Sequence, residues 1–304
     1  MKVLVTGVGG QLGYDVMREL HRQGIDCCGA DRAEFDITDF AATNEFITNY
    51  MPDAVIHCSA YTAVDKAEDE MELCRRVNAD GTENIAKVCK LINAKMIYIS
   101  TDYVFPGTGE QFYKPDDATA PCNVYGQTKL EGELAVKKLL RKYFIVRISW
   151  VFGVNGNNFV KTMLKLGEPR KELNVVTDQV GSPTYTADLA VLLVDMVQTE
   201  KYGAYHATNE GVCSWADFAE KIFSVAGMDV KVNHITSAEY PTKAVRPKNS
   251  RMSKDKLVEN GFARLPKWED AVERYVDLLK KFYIKDIISI SVIYFTEIEI
   301  ISFM

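Results

Sequence analysis

A glycine-rich turn near the start of the chain constrains its fold more than any other feature. Residues 2–6 form an apolar run that predicts a buried parallel strand, and an amphipathic helical pattern follows from Leu12 to about Arg22. Strand, glycine turn and helix, in this order, form the context that a dinucleotide-binding fingerprint requires. Glycines let the backbone approach a pyrophosphate, and the helix N-terminus supplies free N–H groups. The predicted cofactor contacts of the turn are Gly7, Gly10, Gln11, Leu12 and Gly13.

The end of the second predicted strand carries two charged residues of opposite sign. This strand covers about residues 25–30, and Asp31 and Arg32 follow it. An acidic residue at this place accepts hydrogen bonds from the adenosine ribose of a dinucleotide. Arg32 offers a positive charge to a 2′-phosphate. The two residues together are compatible with NAD, NADP or both.

Strands and helices alternate along the rest of the first half of the chain. Further strands are predicted at residues 54–57, 95–100 and 144–150, the last ending at Trp150. This alternation predicts an α/β fold with a Rossmann-type, doubly wound parallel sheet. We expect a dinucleotide-binding domain over residues 1–150. A smaller α/β domain over residues 151–283 would bind mainly substrate, with some segments returning to the sheet, and the tail at 284–304 has no assigned role.

Several helix boundaries and loops are also predicted. Helices are expected from Thr38 or Asp39 to Tyr50, from Asn78 to about Leu91, from Tyr125 through Leu140, from an Asp188 cap through Val197, after a capping box at Ser214–Asp217, and from Trp268 to Tyr283. Residues 106–123, 178–184 and 246–251 are expected to be loops.

The stretch between Ser100 and Lys129 carries the candidate chemistry. Tyr125 and Lys129 are four residues apart and share one face of a predicted helix. The positive charge is expected to lower the pKa of the phenol. Thr101 ends a predicted strand that delivers a hydroxyl to the same site, and the three groups suit proton transfer to a carbonyl oxygen. A surface tyrosine and lysine is the plainer interpretation, and the glycine turn favours the functional one.

Composition limits the compartment and the partners of the protein. The chain has 304 residues, a net charge of -6 and seven scattered cysteines without metal-type spacing. These values disfavour a nucleic-acid partner and are typical of a cytoplasmic protein with reduced thiols. No secretory signal is visible, and the apolar run at residues 287–295 is too short for a membrane span. We therefore expect a cytoplasmic protein with no membrane partner and no metal site that can be assigned.

These residues make the chain similar to the extended short-chain dehydrogenase/reductase family, and more narrowly to the dTDP-4-dehydrorhamnose reductases. The resemblance runs from residue 1 to about 283, and Tyr-x-x-x-Lys is common to the whole superfamily. More specific to the narrower group are the stretches at residues 63–68, 100–105, 178–184 and 246–250. The resemblance implies reduction of dTDP-6-deoxy-L-lyxo-4-hexulose to dTDP-L-rhamnose with NADPH or NADH, in the synthesis of a bacterial cell-surface polysaccharide precursor.

The resemblance also implies roles for individual residues. Tyr125 would donate the proton, Lys129 would lower its pKa and hold the cofactor ribose, and Thr101 would complete a catalytic trio. The remaining cofactor contacts would be Asp31, Arg32, Asp36, Ile37, Ser59, Ala60 and Thr62. The dTDP-sugar contacts would be Val64, Thr101, Asp102, Tyr103, Trp150 and Arg246. Members of the family are sometimes homodimers with bound magnesium, and no motif here assigns residues to such an ion.

Other functions are compatible with the same residues. The trio also suits a reductase of another 4-keto nucleotide sugar, or a nucleotide-sugar epimerase. A non-catalytic regulatory subunit of methionine adenosyltransferase resembles these reductases too, and the intact Thr101, Tyr125 and Lys129 favour catalysis over that alternative. Arg246 is either a solvated loop charge or a partner of the dTDP diphosphate.

Overall fold

The fold is built around a parallel sheet, seen in a computed structural model that describes residues 1–281. The strands of the described residues are β1 (Lys2–Thr6), β2 (Asp26–Ala30), β3 (Ala54–His57), β4 (Lys95–Thr101), β5 (Tyr143–Ile148), β6 (Val151–Phe152), β7 (Glu172–Val176), β8 (Val180–Gly181), β9 (Thr184–Tyr185), β10 (Gly203–His206), β11 (Cys213–Ser214), β12 (Lys231–Ile235) and β13 (Asn249–Ser250).

Helices connect most of these strands. They are α1 (Gln11–Arg22), α2 (Phe40–Tyr50), α3 (Val64–Ala67), α4 (Met71–Arg75), α5 (Thr82–Ile92), α6 (Val124–Leu139), α7 (Phe159–Gly167), α8 (Thr186–Val197), α9 (Trp215–Ala226) and α10 (Asp255–Glu259). A π-helical turn covers Arg76–Gly81, a 3₁₀ turn covers Asp102–Val104, and residues 268–281 are helical. Within residues 1–281, none of the helices has the length and apolar character needed to cross a bilayer.

The central sheet has the order β10-β5-β4-β3-β1-β2, and its neighbouring strands run parallel. The chain order reverses direction at β1, which lies between β2 and β3. In open α/β sheets, ligands bind outside the carboxyl ends of the strands at such a reversal. Val3, Leu4 and Val5 are completely buried because helices cover both faces of the sheet.

Two apolar layers hold the helices against the sheet. On one face, α1 and α8 pack together over Val3, Val5 and Ile97. On the other face, α2, α5 and α6 surround a core that contains Leu4, Val55 and Tyr98. The predicted Rossmann-type α/β class is therefore confirmed.

A second apolar core lies in the residues after β6. There α7, α9 and the helix at 268–281 pack around Phe152, Phe218 and Tyr275, beside the parallel pair β7–β12. Segments of this half also return to the central sheet, since β10 pairs with β5. The domain boundaries of the sequence analysis stay a prediction, and residues 284–304 lie outside the described part of the chain.

Some predicted boundaries were wrong. The strand predicted to end at Trp150 ends at Ile148, and the stretch at 178–184 contains β8 and the start of β9. Asn78 lies inside the π-helical turn rather than starting a regular helix. Asp188 does not cap α8, because the helix begins at Thr186 and the Asp188 carboxylate accepts hydrogen bonds from Arg274. The capping box at Ser214 and Asp217 is confirmed.

Candidate active site

One large cavity opens at the carboxyl edge of the central sheet. Its volume is about 770 Å³, and residues from the ends of β1, β3 and β4, from α6 and from the second half of the chain line it. The cavity walls include every residue that the sequence analysis proposed for a cofactor or a substrate: Gly7, Gly10, Gln11, Leu12, Gly13, Asp31, Arg32, Asp36, Ile37, Ser59, Ala60, Thr62, Val64, Thr101, Asp102, Tyr103, Tyr125, Lys129, Trp150 and Arg246. The structure thus brings these residues together, and their individual roles stay predictions.

The glycine turn leaves no room for side chains at two positions. Gly7 has φ +73, and a Cβ there would lie 2.7 Å from the Ser59 nitrogen. A Cβ on Gly13 would lie 2.2 Å from the Gly7 carbonyl oxygen. Glycine therefore allows the start of α1 to approach the end of β1 closely, which exposes the helix N-terminus to the cavity.

Charged residues surround the part of the cavity next to the glycine turn. The Gly9 N–H donates to the Asp31 carboxylate at 2.6 Å, so this acid also stabilises the turn. Arg32 has an 88% exposed side chain and lies 3.6 Å from the Asp36 carboxylate. Hydrogen bonds from Thr38, first through its backbone N–H, hold the pKa of Asp36 below its usual value. Arg76 lines the same cavity.

A buried carboxyl group connects the end of β4 to the second half of the chain. Asp102 is 4% exposed, accepts a hydrogen bond from the Thr101 hydroxyl at 3.0 Å, and accepts another from the Ser250 hydroxyl. Burial raises the pKa of Asp102 to about 6, against the effect of these two donors. Thr101 is consequently held in place by its neighbour, and its oxygen also accepts from the Tyr103 N–H at 3.3 Å.

Tyr125 and Lys129 lie on the first turns of α6 and face the cavity. The side chain of Asn123 caps this helix by accepting from the Gly126 N–H at 2.8 Å. Lys129 is 3% exposed, and its Nζ lies 4.2 Å from the centre of the Tyr98 ring. Burial lowers the pKa of Lys129 to about 7, although the nearby Glu133 carboxylate acts in the opposite direction.

The expected lowering of the Tyr125 pKa was wrong. Burial of the phenolic group raises the pKa of Tyr125 above its ordinary value, and a hydrogen bond with Thr101 offsets only part of this effect. Loss of hydration disfavours the phenolate more than nearby groups favour it. Tyr125 therefore keeps its proton at neutral pH and is available as a proton donor.

Another part of the cavity wall is aromatic and cationic. Tyr103 packs edge-to-face on Tyr125, with ring centres 5.6 Å apart. Arg246 donates to the Tyr103 hydroxyl at 3.2 Å and to the Asp65 carboxylate at 2.6 Å. This wall offers apolar surface together with one guanidinium group, which suits a ligand with a sugar ring and a phosphate.

Arg76 and Trp215 are among the cavity residues that the sequence analysis missed. Arg76 lies in the π-helical turn, and no motif marks it. Trp215 lies within the capping box that the sequence does reveal, but nothing local indicates that its ring reaches the cavity. Within residues 1–281, no three His, Cys, Asp or Glu side chains are grouped so as to hold a metal ion, and magnesium stays unassigned.

The crevice thus combines a buried, protonated tyrosine with a dinucleotide-type glycine turn, which defines the class of protein as a Rossmann-fold, nicotinamide-dependent oxidoreductase. Comparison with known proteins narrows this class. The chain belongs to the family described as RmlD substrate binding domain, whose model matches residues 1–281.

Individual relatives cover nearly the whole chain. The spore coat polysaccharide biosynthesis protein SpsK of Bacillus subtilis (strain 168) is 39% identical over 275 residues, covering 90% of this chain and 96% of that protein. A dTDP-4-dehydrorhamnose reductase of Escherichia coli (strain K12) is 38% identical over 299 residues, covering 92% of this chain and 98% of that protein. The crystal structure of dTDP-4-dehydrorhamnose reductase from Bacillus anthracis str. Ames in complex with NADP has a TM-score of 0.88 at 46% identity, covering 90% of this chain and 98% of that chain.

Proposed function

We propose that the protein reduces the 4-keto group of dTDP-6-deoxy-L-lyxo-4-hexulose to form dTDP-L-rhamnose, in dTDP-rhamnose and polysaccharide biosynthesis. The observation that carries the proposal is that Tyr125, Lys129 and the glycine turn line one cavity at the reversal point of the sheet. Relatives named dTDP-4-dehydrorhamnose reductase, such as that of E. coli, support the choice of substrate.

The residues present fit a nicotinamide dinucleotide. Gly7 and Gly13 form a cradle that a Cβ would fill, and α1 begins directly behind it. Asp31 lies where it can accept from a ribose hydroxyl, and Arg32 and Arg76 offer positive charge to a 2′-phosphate. NADP in the B. anthracis relative supports NADPH, and NADH stays open. When bound, the nicotinamide supplies a hydride to the keto carbon.

The protein itself supplies and controls the proton. Tyr125 donates its phenolic proton to the oxygen that becomes the 4-hydroxyl group. Lys129, when protonated, stabilises the negative charge that develops on the Tyr125 oxygen. Thr101 is fixed by Asp102 and orients the groups around the reacting oxygen. Burial lowers the pKa of Lys129 to about 7, so both protonation states of its amine are accessible near neutral pH. A bound ligand that changes the surroundings of the amine can therefore change its protonation state.

The sugar nucleotide would bind across the boundary between the two halves of the chain. Val64, Tyr103 and Trp150 would contact the sugar, and Arg246 would pair with the diphosphate. In this proposal residues 1–150 bind mainly the cofactor and residues 151–283 mainly the substrate. A homodimer, a magnesium ion and a cytoplasmic location stay predictions.

The test is a reductase assay with purified protein. We expect loss of dihydronicotinamide absorbance when the 4-keto sugar nucleotide is added with NADPH or NADH. dTDP-glucose, which lacks the keto group, serves as the control and should give no loss. Isomerisation with tightly held NAD and no net NADPH consumption would instead indicate an epimerase. No consumption with either cofactor, together with co-purification of a synthetase, would indicate a regulatory subunit.

A further inference from the structure

Trp150 has a backbone conformation that is costly for a bulky residue. Its φ is +50, in the left-handed region, at the junction where β5 has ended and β6 begins. Residues other than glycine rarely adopt this conformation, and those that do are concentrated at functional sites. The surroundings must therefore determine where the Trp150 ring lies.

A second tryptophan covers that ring. The indoles of Trp150 and Trp215 are stacked, with centroids 3.8 Å apart and planes 15° apart. Both residues are half-buried and line the cavity. Stacking of this kind restricts both rings to one orientation.

Trp215 is itself held by the second apolar core, which contains Phe152 and Phe218. It is the first residue of α9, whose start is fixed by the Ser214–Asp217 capping box. Its Nε1 donates to the Gln179 side-chain oxygen at 3.2 Å, and the Phe159 ring packs on it with centroids 4.6 Å apart. The position of Trp215 is therefore fixed by protein groups alone.

Gly181 makes space for the edge of the Trp150 ring. A Cβ at this position would lie 2.9 Å from the Ser250 Cβ, 3.1 Å from Cε2 of Trp150 and 3.2 Å from Cζ2 of Trp150. Such distances are shorter than ordinary carbon contacts, so a side chain there would press on both Ser250 and the indole. Trp215 and Gly181 thus together determine where the Trp150 ring meets the cavity.

We propose that Trp215 is a substrate-positioning residue that holds Trp150 so that the two rings form one apolar wall against the deoxyhexose ring of the nucleotide sugar. The inference rests on the proposed function and adds a positioning residue to it. A 6-deoxyhexose has a methyl group and a ring face of C–H groups, which suit a flat aromatic wall. A wall held rigid in advance orients the keto carbon without ordering side chains during binding.

Two variants test the inference: Trp215→Leu, which keeps apolar volume, and Trp215→Phe, which keeps a ring. For Trp215→Leu we expect KM for the 4-keto sugar nucleotide to rise about 3- to 10-fold. The Kd for NADPH, measured by dihydronicotinamide fluorescence, should stay within about twofold because the ring does not contact the glycine turn. Trp215→Phe should restore much of the loss.

The outcomes separate the inference from the function on which it rests. If the unmodified protein reduces the sugar nucleotide and Trp215→Leu has an unchanged KM, the positioning role is overturned alone. If Trp215→Leu weakens NADPH binding as much as it raises KM, Trp215 is merely structural and the inference fails. Should Trp215→Leu not fold, Trp215→Phe decides by the same two constants: a smaller rise in KM with an unchanged Kd for NADPH supports the inference, and an unchanged KM overturns it. If the unmodified protein consumes no NADPH, both proposals fail.

Discussion

At the scale of single residues, the environment of Tyr125 decides its chemistry. The Tyr-x-x-x-Lys spacing predicts that the two side chains share a helix face, and the structure has both facing the cavity. The direction of the pKa shift of Tyr125 was not predictable, because it depends on how deeply the fold buries the phenol. A sequence pattern shows which charges are near, but not how much water the fold removes.

Removing only the phenolic oxygen should abolish most of the activity. For Tyr125→Phe we expect kcat to fall by a factor of ~10²–10⁴, since no other donor would protonate the reacting oxygen. The Kd for NADPH should hardly change. Tyr240→Phe is the matched control, because Tyr240 is 60% exposed and does not line the cavity. Steady-state rates and cofactor titrations measure both effects, and near-normal turnover by Tyr125→Phe would exclude it as the proton donor.

Lys129 should make stability depend on pH in an identifiable window. Burial lowers its pKa from 10.5 to about 7, so between these values the unfolded chain binds a proton that the native protein lacks. The free energy of unfolding then rises with pH across the window. Lys129→Met lacks this contribution. Between about pH 7 and about pH 9 the unmodified protein should therefore gain about 2 kcal/mol relative to the variant.

Urea unfolding of both proteins at the two pH values measures this difference, while kcat of Lys129→Met should be strongly reduced. Without the lysine, the variant should also be the more stable protein near pH 7, because a desolvated amine is costly to bury. A stability difference that is the same at both pH values would show that Lys129 keeps its ordinary pKa in the native state.

At the scale of helices and strands, local patterns were sufficient where the chain is regular. The predicted strands at residues 2–6 and 54–57 match β1 and β3, because buried parallel strands appear as short apolar runs. Boundaries set by distant residues were not predictable. Asn78 lies in a π-helical turn, and its side chain accepts from the Tyr61 N–H and donates to the Tyr61 carbonyl. Asp188 pairs with Arg274. Such partners are far apart in sequence.

A buried ion pair connects α6 to β5. Glu133, one turn after Lys129, accepts from Arg147 at 2.7 Å through both carboxylate oxygens and from the Ser100 hydroxyl at 2.6 Å. Arg147 is 1% exposed and also donates to the Pro115 carbonyl at 2.9 Å, which attaches the loop at 106–123 to the sheet. The pair therefore fixes α6, which carries Tyr125, relative to β5.

Glu133→Gln should destabilise the protein by about 3–5 kcal/mol, because it leaves the Arg147 cation buried without a counter-charge. The double variant with Glu133→Leu and Arg147→Met should lose less free energy of unfolding than a variant in which only one partner is replaced. Denaturant unfolding measures these values. Glu83→Gln, which breaks the exposed pair with Lys87, is the control and should change the free energy of unfolding by less than about 1 kcal/mol. Equal effects at the two sites would refute the role given to burial.

At the scale of the whole molecule, the cavity is assembled from segments far apart in the sequence. The contacts of the segment after residue 242 with the first half include Arg246 with Asp65, Lys243 with Asp69, and the Asn123 side chain with the Val245 carbonyl. The family resemblance was sufficient to propose Arg246 and Trp150 for the cavity, since the first lies in one of its stretches and the second ends a predicted strand. Trp215 lies in a capping box that indicates only the start of a helix, and tertiary packing brings it to the same wall as Trp150.

Arg246, from the second half of the molecule, contacts the first half and is the proposed partner of the substrate diphosphate. Its guanidinium is paired with Asp65 and lines the cavity, so it is available to a diphosphate without moving far. For Arg246→Ala we expect KM for the sugar nucleotide to rise by about tenfold or more, as fits the loss of a charge-assisted hydrogen bond, with little change in the Kd for NADPH. Lys248→Ala is the control: Lys248 has the same charge, pairs with Asp178 at 3.1 Å and lies outside the cavity walls. If both variants raise KM equally, general electrostatic attraction explains the effect, and if neither does, Arg246 serves only to join the two halves through Asp65.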